Sequence, residues 1–257
     1  MIFRGPPTAN DAIDVVVTRV DASPEQVRAS TALLSDSERK RASRFAFARD
    51  RHRFVVARAK LRQLLANRLG MPPHSIELTY GAHGKPALAK SCGGSELHFN
   101  VSHSNDIAVY AFSRGRDIGV DVEHVRVLRD ADDIAAHFFS RRENTAYLAL
   151  RPSERPCGFF NCWTRKEAFI KALGEGLHYS LDRFDVSLAP GEPARILSVE
   201  GMSGERCGWT LDSFLPGPGL VGAVAIREDR LRVRRSGKAR PHSRESRLRR
   251  HFTATNN

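Results

Sequence analysis

Apolar and polar residues alternate along this chain in two distinct periods. Residues 12–20, AIDVVVTRV, form a β-branched run that predicts a strand. Ser35 with Glu38 three positions later is a capping box, which opens a helix. From Phe54 the positions Val55, Leu61, Leu64, Leu65 and Leu69 keep helical spacing, and Gly70, Pro72 and Pro73 close the segment. Four short β-rich runs follow, SIELTY (75–80), ELHFNVSHS (96–104), DIAVYAFS (106–113) and DIGVDVEHV (117–125), divided by Gly, Asn and Asp. Past residue 130 the period turns helical over 131–140, 142–151 and 159–174, with Gly174 and Gly176 stopping the last segment. Strand-like runs return at 184–189, 209–215 and 220–228.

Each half is therefore a strand, helical material and a small antiparallel sheet, with no sequence repeat between them. The pattern predicts an α+β protein of two comparable halves, 1–115 and 116–227, followed by a basic extension over 228–257. Low hydrophobicity predicts that this extension is disordered.

Composition narrows the class. No run of about 18 apolar residues is present, so no membrane span is expected. The first twelve residues lack the apolar segment of a signal peptide. Cys92, Cys157, Cys162 and Cys207 show neither C-x-x-C pairing nor zinc-finger spacing with His, which points to a reducing cytoplasm without disulfides. The net charge of +12 is concentrated: residues 227–257 and 35–68 each carry eleven Lys/Arg against three acids, and the remainder is net negative. Two local basic patches suit phosphate groups or an acidic protein partner. A nucleic-acid partner would account for the charge, but no DNA- or RNA-binding motif is present.

Four polar constellations carry candidate chemistry. On a strand over residues 118–124, Asp121 and Glu123 share one face roughly 6.5–7 Å apart, with Gly119 beside them and Ile118, Val120 and Val122 building the second half's core on the other. Two such carboxylates can converge on a hard cation such as Mg²⁺, although a solvated strand face has the same spelling. In WTRKEAFIKALGEG (163–176), Glu167 and Lys171 lie one helical turn apart, as a surface ion pair also would. In FNVSHSN (99–105), Ser102 and His103 end a strand where hydroxyl, imidazole and backbone N–H groups can hold a phosphate. Adjacent residues on an extended chain point to opposite sides, so this is no hydrolytic dyad. GAHGKP (81–86) is a Gly-rich turn that delivers Lys85, as a plain surface turn would also be.

The ordered series RKRASRFAFARDRHRF, GKP, FNVSHS, IGVDVE and WTRKEAFIKALGEGL resembles the 4′-phosphopantetheinyl transferases of the large, monomeric, surfactin-synthetase-activating type, from about Ser35 to Val186. The resemblance implies two α+β halves related by a pseudo-twofold, with the active site in the cleft between them. It implies transfer of the phosphopantetheine arm of coenzyme A to a serine of an apo acyl or peptidyl carrier protein, releasing 3′,5′-ADP. It maps metal ligands onto Asp121, Glu123 and Glu167, for Mg²⁺ or equally Mn²⁺; some relatives lack a carboxylate where Glu123 stands. Asp121, Glu167 and Lys171 become the catalytic set. Lys171 would meet the phosphates, and Glu167 would take the serine proton directly or through a metal-bound water.

For coenzyme A the resemblance implies Arg41 at the 3′-phosphate; Glu38 stands where some relatives carry a second basic residue, and we infer that Arg44 helps Arg41 in its place. Ser102 and His103 would meet the nucleotide and its phosphates, Gly84, Lys85 and Pro86 would wrap the adenine side, and Asn100 and Val101 would contribute backbone groups. The basic helix over 39–62 would steer an acidic carrier. The expected setting is a cytoplasmic monomer. The alternatives are a metal-dependent phosphoester or nucleotide hydrolase, which could use the same carboxylates and lysine, and nucleic-acid binding through the basic extension.

Overall fold

The structure, a computed structural model, describes residues 2–4, 13–92, 96–174, 179–201 and 208–228. Residues 229–257 of the basic extension, the helix stop at Gly176 and Cys207 lie outside these. In chain order the first half contains β1 (Ile2–Arg4), β2 (Asp14–Arg19), α1 (Pro24–Ala32), α2 (Asp36–Ala42), α3 (Ala48–Leu69), β3 (Leu78–Tyr80), β4 (Pro86–Leu88), β5 (Leu97–Ser104) and β6 (Ile107–Arg114). The second contains β7 (Ile118–His124), α4 (Ala131–Phe138), α5 (Arg141–Leu148), α6 (Arg155–Leu173), β8 (Phe184–Val186), β9 (Ile196–Val199), β10 (Trp209–Phe214) and β11 (Leu220–Arg227). Among the described residues no helix is long and apolar enough to cross a membrane.

Two antiparallel sheets, ordered β1-β2-β6-β5 and β10-β11-β7, form the middle of the molecule. Helix α3 packs Ala57, Leu61 and Leu65 against Val16, Phe99, Tyr110 and Phe112 on the outer face of the first sheet. Helix α6 does the same to the second sheet, with Ala168, Phe169 and Ala172 against Ala223 and Ala225. The inner faces meet through Val15, Ile107, Val109 and Ala111 on one side and Ile118, Val120, Val122, Val224 and Ile226 on the other. The order of layers is helix, sheet, sheet, helix, and the class is α+β as the pattern predicts.

This corrects one sequence expectation. Ile118, Val120 and Val122 do not build the second half's own core; they are fully buried against the first half. Burying each such side chain contributes roughly 1.5–3 kcal/mol, so β7 holds the halves together as well as carrying carboxylates. The period-2 pattern alone could not say which layer the apolar face would meet.

The predicted boundaries shift for physical reasons. Helix α3 begins at Ala48, six residues before its apolar stripe, because its first turns are exposed arginines. Helix α1 escapes apolar periodicity because Val27 is its only buried residue. Its Ser23–Gln26 capping box is the sequence signal that marks it. The turn at GAHGKP continues into β4, which pairs with β3 in a two-stranded ribbon.

Candidate functional site

The site lies where the outer edge of β5 meets the outer edge of β7. Each strand is terminal in its sheet, and side chains join them. The Val120 N–H donates to Asn100 Oδ1 at 2.9 Å, and the His124 N–H to Ser104 Oγ at 3.4 Å. Asn100, Ser102 and Ser104 share a face by strand alternation, so β5 presents a polar ladder to its neighbour. Their burial agrees with that placement.

Helix α6 can approach β7 because of Gly119. A Cβ there would stand 2.1 Å from the Ala168 carbonyl oxygen and 2.3 Å from the Ala172 nitrogen. Strand and helix backbones therefore touch, and the Glu167–Lys171 face arrives over Asp121. Lys171 Nζ lies 2.6 Å from Asp121 Oδ1, 3.3 Å from Ser102 Oγ and 3.9 Å from Glu167. Ser102 Oγ donates to the same Asp121 oxygen at 2.7 Å. Asp121 Oδ2 is buried and has no hydrogen-bond partner.

Glu123 accepts from Ser104 Oγ at 2.8 Å and lies 3.8 Å from Arg126. Burial first, and then the charge of Asp121, push its carboxyl above the usual glutamate range, against the Ser104 hydrogen bond and Arg126. Glu167 is also pushed up, chiefly by burial, with Asp121 and Glu123 adding to the shift and Lys171 opposing it. The three carboxylates thus act on one another, but they do not form a closed cage. Among the described residues no three His, Cys, Asp or Glu side chains stand close enough to enclose a metal ion. Lys171 takes one oxygen of Asp121, and Ser104 holds Glu123.

A divalent cation nevertheless fits this donor set. The orphaned Asp121 Oδ2 and two further carboxylates at raised pKa are an acceptor-rich patch that positive charge would relieve. Mg²⁺ takes only one or two protein carboxylates and completes its shell with water and phosphate oxygens. A preformed cage is not required of it.

The remaining predicted residues separate into two groups. His103 stands on the opposite side of β5 from Ser102 and is partly open to solvent. The protein packed around it, and then the charges of Lys171 and Arg58, hold its imidazole below the ordinary range, with Asp121 opposing and Arg41 adding. Arg41, exposed near the end of α2, extends over the Phe54 ring, 5.5 Å from its centroid. It also lines a basic surface depression with Lys40 and Arg44. Of the last two residues, only Lys85 departs from the expectation. Val101 turns its side chain toward the core of the first half, leaving only its backbone to the strand. Lys85, next to Gly84 and Pro86, sends its ammonium to backbone carbonyls of the second half.

Sequence reasoning missed Arg58. It approaches the other side of the cluster, 5.6 Å from the same Phe54 ring, and its buried Nη1 has no hydrogen-bond partner. Glu38, 3.7 Å away, helps hold it. Glu38 is itself buried, closing the α2 capping box and pairing with Arg62 at 2.6 Å. The signal was available: Phe54, Arg58 and Arg62 lie four apart and share a helix face. Lys166 proves structural. Adjacent to Glu167 but about 100° around the helix, it is fully buried on Glu143 at 2.7 Å and on the Leu181 and Phe184 carbonyls.

The chain matches two family descriptions in succession. Residues 20–114 match "4'-phosphopantetheinyl transferase, N-terminal", and residues 117–211 match "4'-phosphopantetheinyl transferase superfamily". It is 35% identical over 207 residues to the 4'-phosphopantetheinyl transferase HetI of Nostoc sp., covering 80% of this chain and 84% of that protein. It is 30% identical over 166 residues to the 4'-phosphopantetheinyl transferase Sfp of Bacillus subtilis, covering 65% and 71%. A human relative, L-aminoadipate-semialdehyde dehydrogenase-phosphopantetheinyl transferase, is 30% identical over 61% of this chain and 53% of its own. With both halves matched in order, and one relative aligned over four-fifths of its length, this chain belongs to the 4′-phosphopantetheinyl transferase superfamily and to its Sfp-like type.

Proposed function

We propose that the protein transfers the 4′-phosphopantetheine arm of coenzyme A to a serine hydroxyl of an apo carrier protein domain, releasing 3′,5′-ADP. The observation that carries this reading is the Lys171–Asp121 contact between helix and strand, with Glu167 beside it and a row of cationic groups leading away. Phosphoryl transfer needs placement and charge neutralisation more than covalent chemistry from the protein. The residues supply both.

Lys171 meets an oxygen of the pyrophosphate, and Ser102, whose one O–H goes to Asp121, steadies that carboxylate beside it. Arg58, Arg41 and His103 take the 3′-phosphate, while Gly84 and Pro86 flank the adenine. Glu167 accepts the serine proton; its raised pKa makes it a stronger base than an ordinary carboxylate. Asp121, Glu123 and Glu167 would hold Mg²⁺ or Mn²⁺, which when bound neutralises charge on the pyrophosphate oxygens. Residues 1–115 thus serve the nucleotide and 116–227 the chemistry.

One chain contributes both edges of the site, which supports action as a monomer. Cys92, Cys157 and Cys162 are free thiols, in keeping with a reducing cytoplasm. The exposed basic surface of α2 and α3 suits an acidic carrier. The test is direct: the protein is incubated with coenzyme A, Mg²⁺ and apo carriers of the fatty-acid, polyketide and peptide-synthetase kinds. Each carrier is then weighed by mass spectrometry. A gain of the phosphopantetheine mass, lost when Mg²⁺ is chelated, is the expected result; no gain on any carrier would overturn the proposal.

A further inference from the structure

Lys85 stands on the β3–β4 turn of the first half, yet all its acceptors belong to the second. Its Nζ donates to the carbonyl of Lys171 at 2.6 Å, of Ile118 at 3.2 Å and of Ala172 at 3.3 Å. An ammonium has three N–H donors, so none is left for a phosphate. Lys171 and Ala172 lie in the last turn of α6, whose carbonyls have no partner within the helix. A cation there also meets the negative end of the helix dipole. Ile118 is the first residue of β7. One ammonium therefore joins the turn, the catalytic helix and the carboxylate strand.

The turn that carries Lys85 is closed. The Gly84 N–H donates to the Gly81 carbonyl at 2.9 Å, and the Gly81 N–H to the Lys85 carbonyl at 3.0 Å. Gly84 holds φ at +76°, a conformation that favours glycine. At the other end Gly174, at φ +80°, caps α6 by donating to Ile170. A Cβ on Gly174 would meet the Lys85 side chain at 3.9 Å. The two left-handed glycines thus bring a loop and a helix terminus together around one lysine.

We infer that Lys85 is a positioning residue, a latch that fastens the loop at the nucleotide end to the last turn of α6 and so fixes the reach of Lys171 to Asp121. Lys171 is held at both ends, its carbonyl by Lys85 and its ammonium by Asp121 and Ser102. Without the latch the final turn of α6 loses the partner of two carbonyls, and the Lys171 backbone is free to shift. The inference rests on the proposed transfer reaction only for its kinetic readout.

The test compares Lys85→Met, Lys85→Gln and Lys85→Arg with the wild type in three measurements: steady-state kinetics, calorimetric binding of coenzyme A, and hydrogen exchange without ligand. A misplacement of about 1 Å is worth about 100-fold, so Lys85→Met should lower kcat between roughly 10- and 100-fold. Its Kd for coenzyme A should rise by less than kcat falls, and Lys85→Arg, which keeps charge and donors, should recover most of the rate. The amides of Gly81 and Gly174 should exchange faster together in Lys85→Met. A tenfold rise in Kd with kcat held would make Lys85 a ligand and overturn the latch; so would an unchanged kcat. Lys85→Gln gives the same comparison if Lys85→Met does not fold. Unaltered exchange at Gly174 also refutes the latch, whereas an inactive wild type refutes only the transferase proposal.

Discussion

Lys171 and Asp121 come from different elements, a helix and an edge strand, and meet at 2.6 Å on a single carboxylate oxygen. The other oxygen of Asp121 is buried and unpartnered. An orphaned buried acceptor costs about 1–3 kcal/mol, and Glu38 Oε1, which also has no hydrogen-bond partner, has the Arg58 guanidinium 3.7 Å away. At Asp121, Ser102 and Lys171 crowd onto Oδ1 and leave Oδ2 bare. On the proposed reading, that bare oxygen would take the positive charge of a ligand.

Asp121→Asn keeps the shape of the side chain and removes the charge. It should lower kcat by about 100-fold or more, the loss typical of removing one preorganised electrostatic group. Initial rates at saturating coenzyme A and carrier check this, with far-UV circular dichroism reporting on the fold. A variant keeping more than about a tenth of the wild-type rate would place the decisive charge elsewhere.

The pH dependence should follow Glu167. Its folded-state pKa is raised above the ordinary value of 4.5, by burial first and then by Asp121 and Glu123. A general base acts only when deprotonated, so activity should fall as pH drops through the raised value. The acid limb of the kcat profile therefore lies above the usual glutamate range at limiting Mg²⁺ and moves down as Mg²⁺ saturates, because a bound cation favours the charged carboxylate. The same shift destabilises the fold as pH rises through that value, because the folded state prefers the protonated form. Glu167→Gln should remove the acid limb along with most of the rate and gain stability near neutral pH, as read from profiles of kcat and urea midpoints against pH.

Much of this site was legible in the sequence because it rests on local spacing. The D-x-E of β7 and the i, i+4 pair of α6 place their side chains by period alone. The capping boxes at Ser35 and Ser23 likewise mark helix starts by local chemistry. What period cannot supply is the partner of each face. Ile118, Val120 and Val122 read as a core stripe, but only the fold shows that they cover the opposite sheet. Lys85 read as a binding residue because the resemblance carried the whole GKP turn to the adenine side. Its commitment to Lys171, 86 positions away, depends on how the two halves dock. Arg58 shares a helix face with Phe54 and Arg62, which spacing does offer, but its place beside Arg41 and His103 depends on how α2, α3 and β5 pack within the first half.

Arg58 should contribute to coenzyme A binding as much as Arg41 does. Both guanidinium groups lie about equally far from the Phe54 ring, at 5.6 and 5.5 Å, and both act on His103. A hydrogen bond to a charged group contributes about 1.5–3 kcal/mol, so Arg58→Ala should raise the KM for coenzyme A roughly ten-fold or more with a smaller change in kcat. Arg58→Lys should restore only part, because a point charge replaces a fork of donors. The penalty should shrink with dephospho-coenzyme A, which lacks the 3′-phosphate. An equal penalty with both substrates would move Arg58 to the pyrophosphate.

Gly119→Ala should damage stability more than any change to a surface residue of β7. The added Cβ would meet backbone atoms, the Ala168 oxygen at 2.1 Å and the Ala172 nitrogen at 2.3 Å, and not the far end of a side chain that could turn away. Relief requires β7 and α6 to separate, which also draws Lys171 from Asp121. Overpacking of this kind costs about 1–3 kcal/mol, and more where backbone must move. The expected result is a lower urea midpoint together with a loss of kcat exceeding what the unfolded fraction explains. Wild-type stability in Gly119→Ala would show that strand and helix tolerate a wider spacing, and that contact between their backbones is not what brings the two charges together.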